Sequence, residues 1–307
     1  MNPKVFLLPV ACFRAARLIC HILYAILIAC IYPSLGPSAQ RRIMQRWSLD
    51  LLTILNVCRK SDGHDFSYSG QGRLFVANHV SWLDVFVMNA AAPARFIAKS
   101  EVGAWPLFGW LSRRTGTLFV RRDTRRDAMR VNRLIAAMLQ EGEWVALFPE
   151  GTSTDGTRHV HFHSSLLQGA IDAGAAIHTM AIRYHDANGN RLDDAAFIGD
   201  MTFLQSLQKI LCSPALHVTL AGLPALNSSG TNRRLLAQAA QVAVNAALDN
   251  LSAAARLLPE DNAAAVGTFH QSLTCSSSCG NNPLLNSFPD YLGDDDAEPD
   301  PAATPAA

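Results

Sequence analysis

Apolar and polar positions along the chain fall into three regimes. From Val5 to Phe13 the chain is apolar; Arg14 and Arg17 interrupt it, and Leu18 to Ile31 is apolar again apart from His21, up to Pro33. Neither run reaches the ~20 residues that one helix needs to cross a bilayer. Three arrangements are open: a cleaved signal peptide, one tilted span built from both runs, or a short helical hairpin lying partly in one leaflet. A signal peptide is normally followed by a small-residue cleavage site and a polar mature start, whereas here a second apolar run follows two arginines. Residues 1–44 therefore read as a retained membrane anchor. Arg14 and Arg17 are expected to snorkel to the headgroups, and Arg41 and Arg42 suit the cytoplasmic side by the positive-inside rule.

From about Gln45 short apolar runs alternate with amphipathic stretches, the pattern of an α/β layer fold over residues 45–251. Strands are predicted at Arg73–Ala77, Arg95–Ala98, Thr117–Val120, Trp144–Phe148, Ile177–Tyr184 and Leu216–Leu220. The clearest helix is Asp127–Gln140, where Val131, Leu134, Ile135, Met138 and Leu139 form one stripe and Gly142 follows as a stop. Thr231–Leu248 is predicted as another. From Ser252 to Ala307 the chain is rich in Ala, Ser, Asn, Pro and Asp and carries the run Asp294-Asp295-Asp296, the composition of a disordered tail.

With 307 residues, 49% of them hydrophobic, the chain can bury a sizeable core. Its net charge of +1 gives no basic field for nucleic acid, and no zinc-finger spacing or aromatic RNA-binding pattern is present. The cysteines are odd in number, seven, and Cys12, Cys20 and Cys30 lie in apolar runs, so a disulfide framework is not expected. Cys275 and Cys279 lie in the tail without the second ligand pair of a zinc site.

Candidate chemistry sits at strand ends. The strand Arg73–Ala77 runs into Asn78 and His79, so His79 is placed at a strand's carboxyl edge, where open α/β sheets carry their sites. Asp84, five residues on and in the first turn of the next helix, can fold back so that its carboxylate accepts from one imidazole nitrogen and leaves the other as a base. No Gly-x-Ser-x-Gly elbow or nearby Cys supplies a nucleophile, which suits direct attack by a substrate hydroxyl on an activated acyl group. The other reading of this pair is a helix-capping Asp beside a hydrogen-bonded His. Phe148-Pro149-Glu150-Gly151-Thr152 follows the next strand: the proline ends the ladder and Gly151 lets the backbone turn its amides to a ligand. Gly116-Thr117-Leu118-Phe119-Val120-Arg121-Arg122 is a short strand ending in two arginines whose planar forks suit a phosphate, and Lys99 follows another strand end.

Taken together, these segments resemble the glycerolipid acyltransferase family typified by bacterial 1-acyl-glycerol-3-phosphate acyltransferases. The family's His-x4-Asp motif is matched by His79 and Asp84, its Gly-x-x-Phe-Ile-x-Arg motif by Gly116, Phe119, Val120 and Arg122, and its Phe-Pro-Glu-Gly-Thr motif throughout Phe148–Thr152. Order and spacing also agree. The resemblance implies a central mixed sheet flanked by helices, at the cytoplasmic face of a bacterial inner membrane. It implies that His79 deprotonates the free glycerol hydroxyl of a lysophospholipid and that Asp84 orients it. Arg122 with Lys99 would bind the acceptor's phosphate, and Glu150, Gly151 and Thr152 would line the acceptor site. The donor would be an acyl thioester on acyl carrier protein or coenzyme A, the product phosphatidate, and no metal would be required.

Two positions depart from the family's pattern. Ser153 stands where many members have Arg, leaving that phosphate contact to Arg121 or Arg158, and Ile177-His178-Thr179-Met180-Ala181-Ile182 lacks the proline of the fourth motif. Both lie on the acceptor side, so a lyso-ornithine-lipid acyltransferase, which shares these motifs, is the alternative. A rival of another class rests on His159, His161 and His163: in an extended run they share one face at zinc-ligand spacing, as in a metal-dependent hydrolase.

Overall fold

The computed structural model describes residues 3–63, 66, 70–120, 124–157 and 160–256. The tail from 257, with Cys275 and Cys279, and the residues Arg121, Arg122, Arg158 and His159 lie outside the described residues.

The two N-terminal apolar runs form one helix, α1 (Pro3–Ile31). The hairpin of two short helices does not form, because Arg14-Ala15-Ala16-Arg17 contains no helix breaker and two alanines of high helical propensity. A second helix, α2 (Pro37–Ile54), starts with proline in its first turn after an extended Gly36 and runs uninterrupted across residues 44 and 45, where the expected boundary lies. Arg14 does not reach for headgroups. It is 9% exposed and donates to the carbonyls of Leu211 (3.0 Å), Ser213 (2.7 Å) and Pro214 (3.3 Å). These carbonyls lie at and just past the end of α8 (Phe203–Cys212), where helical carbonyls lack intrahelical partners and a cation is favoured.

Seven strands make one sheet: β1 (Val57–Gly63), β2 (Arg73–Ala77), β3 (Arg95–Lys99), β4 (Leu118–Val120), β5 (Trp144–Leu147), β6 (Ala176–His185) and β7 (Leu216–Gly222). Their order is β1-β7-β6-β2-β5-β3-β4, and all neighbours are parallel except β6 and β7. The sheet is thus mixed, as expected, and every predicted strand is present within two residues at either end. β1 was not predicted, because Val-Cys-Arg-Lys-Ser-Asp-Gly is polar and exposed over most of its length at the sheet edge.

Two short helices, α4 (Ser100–Gly103) and α5 (Phe108–Arg114), lie between β3 and β4 in the chain, and the longer helices cover both faces of the sheet. On one face α2 and α3 (Asp84–Ala91) pack with Phe75, Phe96, Ala146, Met180 and Ile182. On the other, α6 (Arg125–Gln140), α7 (Gln168–Ala173) and α9 (Arg233–Arg256) pack with Leu74, Val76, Val145, Leu147 and Ile177. The close approach of β2 and α6 requires Gly72, since a Cβ there would lie 1.9 Å from the Leu139 carbonyl oxygen. The neighbours β2 and β5 send their following helices, α3 and α7, to opposite faces. The carboxyl ends of these two strands therefore flank a switch-point crevice, where open α/β sheets bind ligands.

Candidate active site

The site begins where β2 ends. Ala77 is its last paired residue, opposite Met180 of β6. Beyond it the Asn78 side chain continues the ladder: Nδ2 donates to the Ile182 carbonyl (2.9 Å) and Oδ1 accepts from the Ile182 amide (2.8 Å). This reciprocal pair holds β6 alongside while the main chain turns away toward His79.

Asp84 is the first residue of α3 and is fully buried. Its Oδ2 accepts from His79 Nδ1 (2.9 Å), the Val80 amide (2.7 Å) and the Ser81 amide (2.8 Å), and its Oδ1 from the Tyr184 hydroxyl (2.8 Å). Three donors thus converge on Oδ2 and one reaches Oδ1. A carboxylate can only accept, so Nδ1 of the imidazole carries the proton and Nε2 is left with a lone pair. The capping reading and the dyad reading of Asp84 are therefore both true: one oxygen ties down the turn amides and orients the imidazole. The His79 ring lies flat on Phe148, centroids 4.0 Å apart at 7°, and its side chain keeps 21% exposure.

The segments after β5 and after β6 clasp the main chain of this loop. The His79 carbonyl accepts from the Thr154 amide (2.8 Å) and hydroxyl (3.3 Å), and the Val80 carbonyl accepts from the Phe197 amide (3.0 Å). The His79 amide donates to the Glu150 carboxylate. Ser153, the position where the family's arginine is missing, donates its hydroxyl to the Phe197 carbonyl.

Glu150 sits beneath the dyad at 6% exposure, and its Oε2 has no partner among the described residues. Burial, opposed by the His79 amide and reinforced by the charge of Asp84, pushes its pKa up to about 8. At neutral pH the folded protein thus holds Glu150 protonated. Between pH ~4.5 and ~8 the unfolded chain has lost this proton and the folded chain has not, so stability falls as pH rises through that window. Glu150→Gln is expected to flatten this slope and to be the more stable protein at pH ~9, by a few kcal/mol. Urea midpoints at pH 6 and 9 check this. A wild type whose stability does not fall over that window would refute the buried neutral acid.

Gly151 turns with φ +74°, its amide donating to the Phe148 carbonyl (3.2 Å), and Thr152 is exposed beyond it. Lys99 is the exposed last residue of β3, on the carboxyl edge shared by β2, β3, β4 and β5. Arg121 and Arg122, which follow Val120 in the chain, lie outside the described residues. His161 and His163 are exposed with ring centroids 5.5 Å apart, while Phe162 between them is buried. Among the described residues no third His, Cys, Asp or Glu joins them to make a metal site.

Asn78, Phe148, Thr154 and Tyr184 were not singled out as site side chains in the sequence. Asn78 and Phe148 lie inside the matched motifs and were legible there. Tyr184 is 100 residues from Asp84 and carried no local signal.

Residues 58–183 match the family described as Acyltransferase. The chain is 42% identical over 178 residues to a lyso-ornithine lipid O-acyltransferase of Pseudomonas aeruginosa, covering 58% of this chain and 68% of that one. It is 45% identical over 120 residues to a 1-acyl-sn-glycerol-3-phosphate acyltransferase of Neisseria gonorrhoeae, covering 39% of this chain and 47%, about half, of that relative. The fold resembles the crystal structure of the 1-acyl-sn-glycerophosphate acyltransferase of Thermotoga maritima, with a TM-score of 0.60 at 16% identity over 81% of this chain and 98% of that one. A part-buried His/Asp pair at a switch-point crevice, the match over residues 58–183 and a 42% identical relative covered over 68% of its length together show that the chain belongs to the glycerolipid acyltransferase family.

Proposed function

We propose that the chain transfers a fatty acyl group from a thioester, on acyl carrier protein or coenzyme A, to the free hydroxyl of 1-acyl-glycerol-3-phosphate, forming phosphatidate. The observation that carries the reaction is His79 itself: Nδ1 is committed to Asp84, and no described hydroxyl or thiol meets Nε2. A base without a nucleophile of its own suits a hydroxyl that arrives with the substrate. The hydroxyl proton passes to Nε2, its oxygen attacks the thioester carbonyl, and the thiolate leaves as the imidazolium returns the proton. Asp84 stabilises the imidazolium between these steps. Gly151 and Thr152 at the mouth of the turn and Lys99 at a strand end, together with Arg122, are the proposed acceptor contacts. The arginine motif after Phe119 supports a phosphate on the acceptor.

The second reading, a lyso-ornithine lipid acceptor, is favoured by two observations. The Pseudomonas relative aligns over more of its length than the Neisseria one, and Ser153 is engaged with Phe197 in place of a phosphate-binding arginine.

The N-terminal helix supports a site at the membrane surface. Phe13, Ile19, Leu23, Leu27 and Ile31 are 56–70% exposed along one side of α1. The opposite side is tied to the domain by Arg14 and, near the helix's far end, by Arg114, which donates to the Ala29 and Cys30 carbonyls (both 2.9 Å). A helix docked along its length on a folded domain presents only one flank to lipid, which suits immersion in the cytoplasmic leaflet rather than a tilted span.

The test offers labelled acyl thioester to membranes carrying the protein, with lysophosphatidate and lyso-ornithine lipid in parallel. Labelled phosphatidate is the expected product; labelled ornithine lipid alone would replace the first reading with the second. Acylation of neither would refute both.

A further inference from the structure

Tyr184 belongs to no motif matched above, yet its hydroxyl is one of the four donors to Asp84. β6 accounts for its position. The β2–β6 register ends at Ala77 opposite Met180, but β6 runs on to His185, so its last residues project past the end of β2 and over the loop that carries the dyad. The Asn78–Ile182 pair keeps the two segments side by side through this stretch. Two residues further, the Tyr184 side chain, 3% exposed, reaches Asp84 Oδ1 at 2.8 Å. The other oxygen of the carboxylate is occupied by His79 and the amides of Val80 and Ser81.

We propose that Tyr184 is a positioning residue of the dyad: its hydroxyl fixes the rotation of the Asp84 carboxylate and disperses part of its charge, setting how strongly the imidazole of His79 is held. Without the phenol, Oδ1 is a buried, unpaired anionic oxygen, free to swing from the plane that suits His79. More of the charge then falls on Oδ2, which favours the protonated imidazole and removes the base. Burial and the adjoining carboxylate keep the phenol itself neutral, its pKa well above the ordinary value, so it remains a donor throughout the working pH range. Among the described residues, the titratable groups that act on Asp84 are His79 from its own loop, Glu150 from the turn after β5 and Tyr184 from β6.

This inference rests on the dyad being the base of acyl transfer, and the experiment separates the two. In the full chain in membranes, Tyr184→Phe is expected to lower kcat about tenfold with little change in KM for either substrate. The acid limb of its kcat profile should move to higher pH by about half a unit. Incorporating 3-fluorotyrosine at position 184, a stronger donor in nearly the same volume, is expected to move that limb the opposite way. It also keeps the question answerable if the phenylalanine variant does not fold. An acid limb that stays put in every variant that folds would overturn the positioning role, whatever happens to kcat. Full activity in His79→Ala would instead overturn the dyad reading on which it rests.

Discussion

Replacing His79 with alanine is expected to lower kcat by ~10²–10⁴, the contribution of a positioned general base, while KM for the thioester changes little. The expectation comes from the geometry of one ring. Its Nδ1 is committed to Asp84, its face lies on Phe148, and its Nε2 meets no described partner. The fold should tolerate the loss, because the side chain is 21% exposed and makes a single hydrogen bond. A stability change of about 1 kcal/mol is expected from the lost stacking and the vacated oxygen of Asp84. Transfer rates of purified protein with thioester and lysolipid, alongside urea midpoints, check both parts. Activity at the wild-type rate would exclude His79 as the base.

Asp84→Asn should behave differently, harming catalysis and fold together. The amides of Val80 and Ser81 donate to Oδ2, so the asparagine must keep its carbonyl oxygen there and turn its NH₂ toward Tyr184. The phenol then has to reverse from donor to acceptor inside a fully buried contact, at an expected cost of about 1–3 kcal/mol. The Nδ1–H bond of His79 survives this arrangement, and the tautomer with it. What disappears is the negative charge that stabilises the imidazolium during transfer. A loss on the order of 10³–10⁴-fold in kcat is expected, as when a triad carboxylate is neutralised. Activity within tenfold of wild type would mean that orientation alone, without charge, is the role of Asp84. Full stability would mean that the turn amides are satisfied elsewhere.

Much of this site was legible from residue types and spacing. Predicting a strand over Arg73–Ala77 put His79 at a carboxyl edge, and five residues to Asp84 put a carboxylate in the next helix's first turn; both placements hold. These are local relations, set by a strand's end, one turn of chain and the start of a helix. The central strands that flank the site were legible for the same reason, since β2 and β5 are buried and read as short continuous apolar runs. The edge strand β1 was not, because a strand with one neighbour need not be apolar.

Arg14 shows where a local reading fails. Beside an apolar run an arginine reads as a headgroup anchor, and only the packing of α1 on the domain brings the α8 carbonyls within its reach. Glu150 shows the same for charge: in the sequence it is an acid in a turn, exposed by default. The fold buries it under the His79 amide and next to Asp84, and so makes it a neutral acid.

Periodicity and residues a few positions apart were enough to give the α/β class, the placement of His79 and Asp84 around a strand's end and the order of the motifs. Tertiary structure alone decided the protonation state of Glu150, the docked side of α1 and the Tyr184 contact on Asp84. Each of these is a question of which distant groups share a low-dielectric space, and a chain's local pattern carries no record of that.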